Sequence, residues 1–264
     1  MNWTSLSDKL LDTYEVKARL FPGLLVLFPA ILFHALLYGT KSPMAVAIGT
    51  VAAGCGGPYL LSSLVRTWGQ RAQDRLFQKW GAPPTTHLLR HRDATLPKPT
   101  KLRYHELTTS RLGIVMPSVE EEQRDPGCAD HAYAAAADAL RPLTSNRATY
   151  PFVFKELVAY GFNRNAYGSR WLGLAVSAFT GVATLLHAET LRLERPYWNP
   201  VSLDGPHIAV LIAAIGFAFL WCVHFTSRTV KQAGFSYAKR LWEALEKVPK
   251  RSSRTPGKMP EPRL

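Results

Sequence analysis

The sequence predicts a mainly α-helical integral membrane protein with four transmembrane helices, arranged as two hairpins, plus a mostly helical cytoplasmic domain. Two observations carry this prediction: apolar runs of membrane-spanning length, and a long polar stretch between two pairs of such runs. The 264 residues are 47% hydrophobic yet carry a formal net charge of +13. Because a single uniform domain seldom combines the two, we expect apolar and basic regions to alternate along the chain.

Four runs free of Lys, Arg, Asp and Glu approach the roughly 20 residues that a helix needs to cross a hydrocarbon core of about 30 Å. They are Phe21 to Tyr38, Pro43 to Val65, Trp171 to His187 and Ile208 to Phe225. The turn around Lys41 joins the first two as a hairpin spanning 21–65, and the last two form a second hairpin spanning 171–225. The alternative is a soluble protein with buried apolar helices, and it is favoured mainly by the shortness of the third run.

Residues 1–20 precede the first apolar run and are predicted to form an amphipathic helix. Leu6, Leu10, Tyr14 and Ala18 recur there at helical spacing, with charged residues between them. A signal peptide would have a short basic lead and a cleavage site of small residues. The segment is therefore expected to lie on the membrane or on the cytoplasmic domain.

Basic residues near the ends of the spans predict the orientation. The turn at Lys41 and the loop from Ala188 to His207 are poor in Lys and Arg, whereas the other side of the predicted membrane is rich in them. Both termini and the central domain are therefore expected to be cytoplasmic, with the protein in the plasma (inner) membrane. Its first partner is the lipid bilayer.

The cytoplasmic part is predicted to comprise a domain at 66–170, a helix at 226–249 and a disordered basic tail at 250–264. The second transmembrane helix is expected to continue into the cytosol and to stop at Gly81. Further expectations are two short strands, two helices and one N-cap. They are strands at Tyr104 to Leu107 and Leu112 to Met116, an Ala-rich helix capped by Asp130 and running to Leu140, and a helix from Arg147 to Phe162.

A cluster of basic residues in this domain is the candidate ligand site. It comprises Arg90, Arg92, Lys101, Arg103 and Tyr104, crowded with His87, His91 and His105. Positive charge combined with aromatic and imidazole rings is typical of sites for phosphate-bearing ligands, so a nucleotide or oligonucleotide is the expected ligand. The nearest acids in sequence, Asp93 and Glu106, are too few to neutralise the cluster, which predicts a positive surface.

Small residues in the apolar runs are candidates for helix packing or gating. They are Gly54, Gly56, Gly57 and Pro58 in the second run, and Gly173 and Gly181 in the third. Glycine allows close approach of helix backbones in a membrane, so packing within a homo-oligomer is expected.

Other patterns indicate no catalytic chemistry. His87 and His91 have metal-site spacing but lack the accompanying Glu of a zinc hydrolase, and no phosphate-binding loop, dinucleotide fingerprint or nucleophile elbow occurs. The run Glu120 to Glu122 is typical of a solvated loop. No carboxylate lies within a predicted span, which disfavours a proton-coupled or ion-coupled transporter. No catalytic residue, cofactor, metal or disulfide is expected, and the protein is not expected to be an enzyme.

In its helix plan and basic cytoplasmic domain, the chain resembles the multi-pass membrane effectors of bacterial nucleotide-signalled anti-phage systems of the CBASS or Hailong type. The resemblance is architectural and brings over no functional residue. It implies a role in antiviral defence as a ligand-gated pore (ion channel) or membrane-disrupting effector. The alternative is a membrane scaffold or adaptor that recruits a soluble protein partner, and an enzyme is the third possibility.

Overall fold

The computed structural model describes residues 13–39, 42–43, 46, 49–50, 56–192, 194–195, 197–199 and 203–250. Within these ranges the chain is mostly helical and forms no strand; an isolated bridge joins Leu191 to Trp198. The mainly α-helical fold is thereby confirmed. The chain divides into two compact units, the first comprising Met1–Gly81 and Lys155–Gly234, and the second comprising Ala82–Phe154 and Phe235–Leu264.

The main helices follow in chain order after a short helical turn at Thr13–Glu15 and a π-helical turn at Val16–Leu20. They are α1 (Phe21–Leu37), α2 (Gly57–Trp80), α3 (Pro84–Leu89), α4 (Lys98–Leu112), α5 (Val119–Arg124), α6 (Pro126–Leu143), α7 (Pro151–His187), α8 (Gly205–Val223) and α9 (Ser227–Glu243). A 3₁₀ turn at Ala244–Lys247 follows α9. The chain passes between the two units within α7 and again within α9.

Within the described ranges, three helical stretches are long and apolar enough to cross a membrane: Thr13–Leu37, Pro151–His187 and Gly205–Val223. This supports the membrane assignment, since their exposed residues include Phe179 and Ile215, at 75% and 68% exposure. The second predicted span, Pro43 to Val65, lies partly outside the described residues, and so do most of residues 1–20 and the tail from 251 onward. Four spans and the two-hairpin plan therefore stay predictions.

The first unit is held together by close packing of α1 on α8 and of α2 on α7. Phe28 and Phe217 stack with ring centroids 5.0 Å apart, and Val26 and Trp221 are buried in the same cluster. Where α2 meets α7, a Cβ on Gly168 would lie only 2.6 Å from the Gly69 nitrogen, so this contact requires glycine.

The second unit has its own hydrophobic core, built from α3, α4, α6 and the end of α9. Tyr133, Leu140, Leu241 and Trp242 are fully buried in it. The Trp242 indole N–H donates to the carbonyl of Thr85 at 3.0 Å, so its one polar atom is satisfied inside the core.

Several local predictions are corrected. Tyr104 to Leu107 is part of helix α4, and Leu112 to Met116 forms no strand. The Ala-rich helix is capped by Asp125, which accepts from the backbone N–H of Cys128 at 2.9 Å, and not by Asp130. The helix begins directly after Asp125 because Pro126 favours the first helical position and lacks an N–H that would need a partner.

The helix predicted from Arg147 to Phe162 begins later and does not end there. It is the first part of α7, which continues past Phe162 and on to His187. The polar side chains in this stretch have partners that let the helix continue: the Asn165 amide donates to the carbonyl of Ala18 at 2.6 Å.

Candidate functional site

The predicted basic cluster lies in the second unit, where acidic residues from α5 and α6 meet it. Arg90 is buried, and its guanidinium donates two hydrogen bonds to the Asp130 carboxylate, from Nε at 2.7 Å and from Nη2 at 2.6 Å. Arg92 is about half exposed and pairs with both Asp130 and Glu122 at 3.1 Å. The two parallel bonds from Arg90 to Asp130 are bidentate, which is the strong form of a charge-assisted hydrogen bond.

Glu122 is the acceptor at the centre of this network. Its carboxylate accepts from the backbone N–H groups of His91 at 2.7 Å and Arg92 at 3.1 Å, and from the Tyr133 hydroxyl at 2.6 Å. Burial alone would raise the pKa of Glu122, but these hydrogen bonds and the Arg92 charge outweigh it and hold the pKa below its ordinary value. Burial and the bond to Glu122 raise the pKa of Tyr133.

The acidic run is therefore not a solvated loop. Residues Glu120 to Glu122 lie in the short helix α5, whose N-cap Ser118 forms a reciprocal capping box with Glu121. Glu120 and Glu121 remain exposed, while Glu122 turns inward.

Lys101 is buried at 2% exposure and is held by main-chain oxygens. Its ammonium donates to the carbonyls of Arg90, His91 and Asp93, which satisfies its three protons. Burial lowers its pKa, against an opposing contribution from the Asp93 charge. Lys101 thus holds the main chain that follows α3 in place through these hydrogen bonds.

Three further residues of the predicted cluster, Tyr104, Arg103 and His105, have other surroundings. Tyr104 is buried in the core, and burial raises its pKa. Arg103 forms an exposed pair with Glu246 at 3.1 Å. His105 is buried with its Nε2 donating to the carbonyl of Leu89 at 2.8 Å, and burial lowers its pKa.

The expected positive surface is thus largely replaced by internal ion pairing. The acids nearest in sequence are too few to neutralise the cluster, but the partners of Arg90 and Arg92 lie 30 to 40 residues later. Because such pairs form only in the folded chain, no local pattern signals them.

A pocket of about 250 Å³ remains beside this network. Of the predicted ligand residues, Arg92 and Lys101 line it, and Arg90, Arg103 and Tyr104 do not. Its other lining residues are His91, Lys98, Leu102, Val119, Glu122 and Gln123. Arg92 and Lys98 are the exposed cations of the lining, so a ligand with one anionic group and an apolar portion fits its chemistry.

The glycine candidates also differ in their surroundings. Gly173 is packed against the indole of Trp221, whereas a Cβ on Gly56 or Gly181 would meet nothing within 4 Å. Gly56 precedes α2 with a φ of 69°, and Gly57 and Pro58 begin that helix. Gly54 lies outside the described residues. The close contact between Gly69 and Gly168 was not anticipated, although both are glycines on helices.

Two histidines lie side by side, His187 at the end of α7 and His207 in the first turn of α8. His187 Nδ1 lies 2.9 Å from His207 Nε2, and His207 Nδ1 bonds the carboxylate of Asp204. The ring of Tyr38 lies 5.2 Å from that of His187 and stacks on His34 at 5.5 Å. This cluster was not predicted from the sequence, although Asp204 before Gly205 and Pro206 is a typical N-cap, and it accepts from the backbone N–H of His207.

Comparisons with protein families, with curated proteins and with solved structures give no match to this chain.

Proposed function

We propose that this protein is a homo-oligomeric membrane effector that opens a path for ions across the bilayer under the control of its second unit. The observation that carries this proposal is the polar face of α7. Small or polar residues recur on it every three or four positions, which places them on one side of the helix. They are Asn165, Ser169, Gly173, Ser177, Thr180, Thr184 and His187.

The polar face is turned inward and the opposite face is apolar. Ser177, Thr180 and Thr184 are at most 3% exposed, whereas Phe179 and Val182 are exposed at 75% and 48%. In a bilayer the second set would face lipid. The hydroxyls of Ser177 and Thr184 are satisfied by carbonyls of their own helix, which leaves acceptor capacity on each oxygen.

Within the described part of the chain, two buried polar atoms at this face have no hydrogen-bond partner. They are Ser169 Oγ on α7 and Trp221 Nε1 on α8, the latter beside Gly173. Unsatisfied buried polar atoms are costly, and water is their usual partner. Within the described residues, three helical stretches have the length and composition to cross a membrane, too few to enclose a wide aqueous path, which favours several copies around it.

The decisive experiment is ion flux from liposomes that contain the purified protein. Wild-type protein should release a trapped ion, and the triple variant S177A/T180V/T184V should release it at least several-fold more slowly. The matched control F179L/V182A changes the exposed face of the same helix and should behave as wild type. Flux from wild type equal to that of empty liposomes, with and without added cyclic oligonucleotide, would contradict the proposal.

The orientation follows from the charge distribution and is part of the proposal. Reporter fusions at Arg124 and Leu264 should read as cytoplasmic, and fusions at Gly39 and Asn199 as outside. A reporter at Arg124 that reads as outside would reverse the orientation.

A scaffold that recruits a soluble protein is the second candidate, favoured by apolar exposure on the second unit. Leu102 and Val119 are exposed at 51% and 43% beside the pocket. Absence of flux, together with a purified partner whose binding is lost in L102S/V119S, would favour the scaffold. The proposed effector role in antiviral defence involves no catalysis.

A further inference from the structure

A second pocket, of about 360 Å³, lies within the first unit between α2 and α7. Its lining includes four cations and two indoles. They are Arg71, Arg75, Lys79 and Arg170, with Trp68 and Trp171. None of them belongs to the basic cluster of the second unit.

The cations from α2 form one positive face. Arg71, Arg75 and Lys79 are four residues apart, which aligns them along the helix, and all three are exposed. None of them forms an ion pair within the described part of the chain, and neither does Asp74, the acid nearest to them on α2. Their charge is therefore available to a ligand.

Arg170 brings the fourth charge from α7 and is fixed by aromatic rings. Its guanidinium carbon lies 4.4 Å from the ring centre of Tyr167 and 4.8 Å from that of Trp171. These cation–π contacts orient the group without neutralising it.

The pocket lies where the apolar surface of the unit ends. The two helices run antiparallel, since Gln73 of α2 bonds Tyr160 and Arg164 of α7 while Gly69 lies against Gly168. Among the described residues of the first unit, the large exposed apolar side chains of α2 and α7 lie on one side of this level. They include Leu60 and Leu64 on α2, and Trp171, Leu172 and Phe179 on α7.

We propose that this pocket binds the phosphate of an anionic phospholipid. The guanidinium groups match a phosphate diester, and exposed Trp171 stands at the depth where indoles favour the headgroup layer. A lipid would place its acyl chains along Trp171 and Leu172, whereas free phosphate would use the cations alone. Basic pockets between membrane helices bind acidic lipids by this combination of charge and apolar contact.

The test uses full-length protein in neutral detergent, titrated with phosphatidylglycerol or phosphatidylcholine and followed by native mass spectrometry. The pocket variant is R71Q/R75Q/K79Q. The matched control R66Q/K155Q/R228Q removes the same charge from exposed positions of the same unit that do not line the pocket. Phosphatidylglycerol should bind wild type and control equally, and the pocket variant about 10-fold to 100-fold more weakly. Phosphatidylcholine should bind all three weakly.

Further arms keep the result interpretable. The variant R71K/R75K keeps the charge without the guanidinium fork, so its affinity for phosphatidylglycerol should lie between those of wild type and R71Q/R75Q/K79Q. Thermal unfolding of R71Q/R75Q/K79Q at the wild-type temperature excludes misfolding as the cause of its weaker binding. Inorganic phosphate and glycerophosphoglycerol should displace the lipid only at far higher concentration. Equal weakening in the pocket variant and the control would overturn the site, and displacement by equimolar phosphate would overturn the lipid as its ligand.

Discussion

The indole of Trp221 on α8 occupies the space beside Gly173 on α7 that any larger residue would need. G173A should therefore destabilise the first unit by about 1 to 3 kcal/mol, because the buried indole has little room to shift. G181A, where the space is open, should be neutral. Thermal unfolding in detergent measures both, and a partial recovery in G173A/W221F would assign the loss to this contact. Equal effects of G173A and G181A would contradict it.

Loss of the Glu122 charge should destabilise the second unit. E122Q replaces an acceptor of four hydrogen bonds with an amide whose NH₂ group must face a donor. We expect a loss of about 2 kcal/mol, since bonds to a charged group are the stronger class. E120Q, on the exposed side of α5, is the control and should be silent. Hydrogen exchange over residues 82–154 localises the effect. Equal protection of these residues in E122Q and E120Q would contradict the prediction.

Arg90 and Arg103 should differ sharply although both belong to the predicted ligand cluster. R90A removes the two hydrogen bonds from Arg90 to Asp130 but leaves Asp130 paired with Arg92, so it should cost about 2 to 3 kcal/mol. R103A breaks an exposed pair with Glu246 and should cost less than about 1 kcal/mol. Chemical denaturation of the two variants side by side checks this. A silent R90A would mean that the Asp130 pair contributes little to folding.

The second unit should lose stability in acid. Burial lowers the pKa of His105 below its ordinary value of 6.5, so the unfolded chain takes up this proton first as the pH falls. Stability should be full above about pH 6.5 and decline below it, by at most about 1.4 kcal/mol per pH unit for one proton. The lowered pKa of Glu122 adds a further loss below its ordinary value of 4.5.

The variant H105Q separates these contributions. It keeps an N–H donor for the carbonyl of Leu89 but cannot titrate, so its stability should change less between pH 7 and pH 5.5 than that of wild type. H131Q, at an exposed histidine, should follow the wild-type profile. Hydrogen exchange corrected for intrinsic rates provides the readout. Superimposable profiles for H105Q and wild type would remove His105 as the cause.

Features set by neighbouring residues could be predicted from the sequence, and long-range contacts could not. The end of α2 at Gly81 was predicted and is confirmed, because a φ of 80° after a helix favours glycine. By contrast, the cap predicted at Asp130 is wrong, because the pairing of Asp130 with Arg90, 40 residues earlier, leaves no local signal. The helix end predicted at Phe162 is also wrong, because α7 continues and the Asn165 amide donates to the carbonyl of Ala18.

The same distinction applies to the candidate sites. Residue type identified Arg92, Lys101 and Gly173 as candidates, but only the fold decides which of them face a pocket, a main-chain oxygen or an indole. The pocket at Arg71 and Arg75 is formed by α2 and α7, which are far apart in sequence. The spacing of the basic residues on α2 therefore indicates only the α2 side of the pocket.

The lengths of the apolar helices have a consequence for the lipid environment. The apolar part of α7, from Trp171 to His187, is about 25 Å long at 1.5 Å per residue, and the 19 residues of α8 measure about 28 Å. Both are shorter than a hydrocarbon layer of about 30 Å, so a thick bilayer must thin locally around them. Lipids with short acyl chains should therefore stabilise the protein, and chain length acts on it independently of headgroup charge.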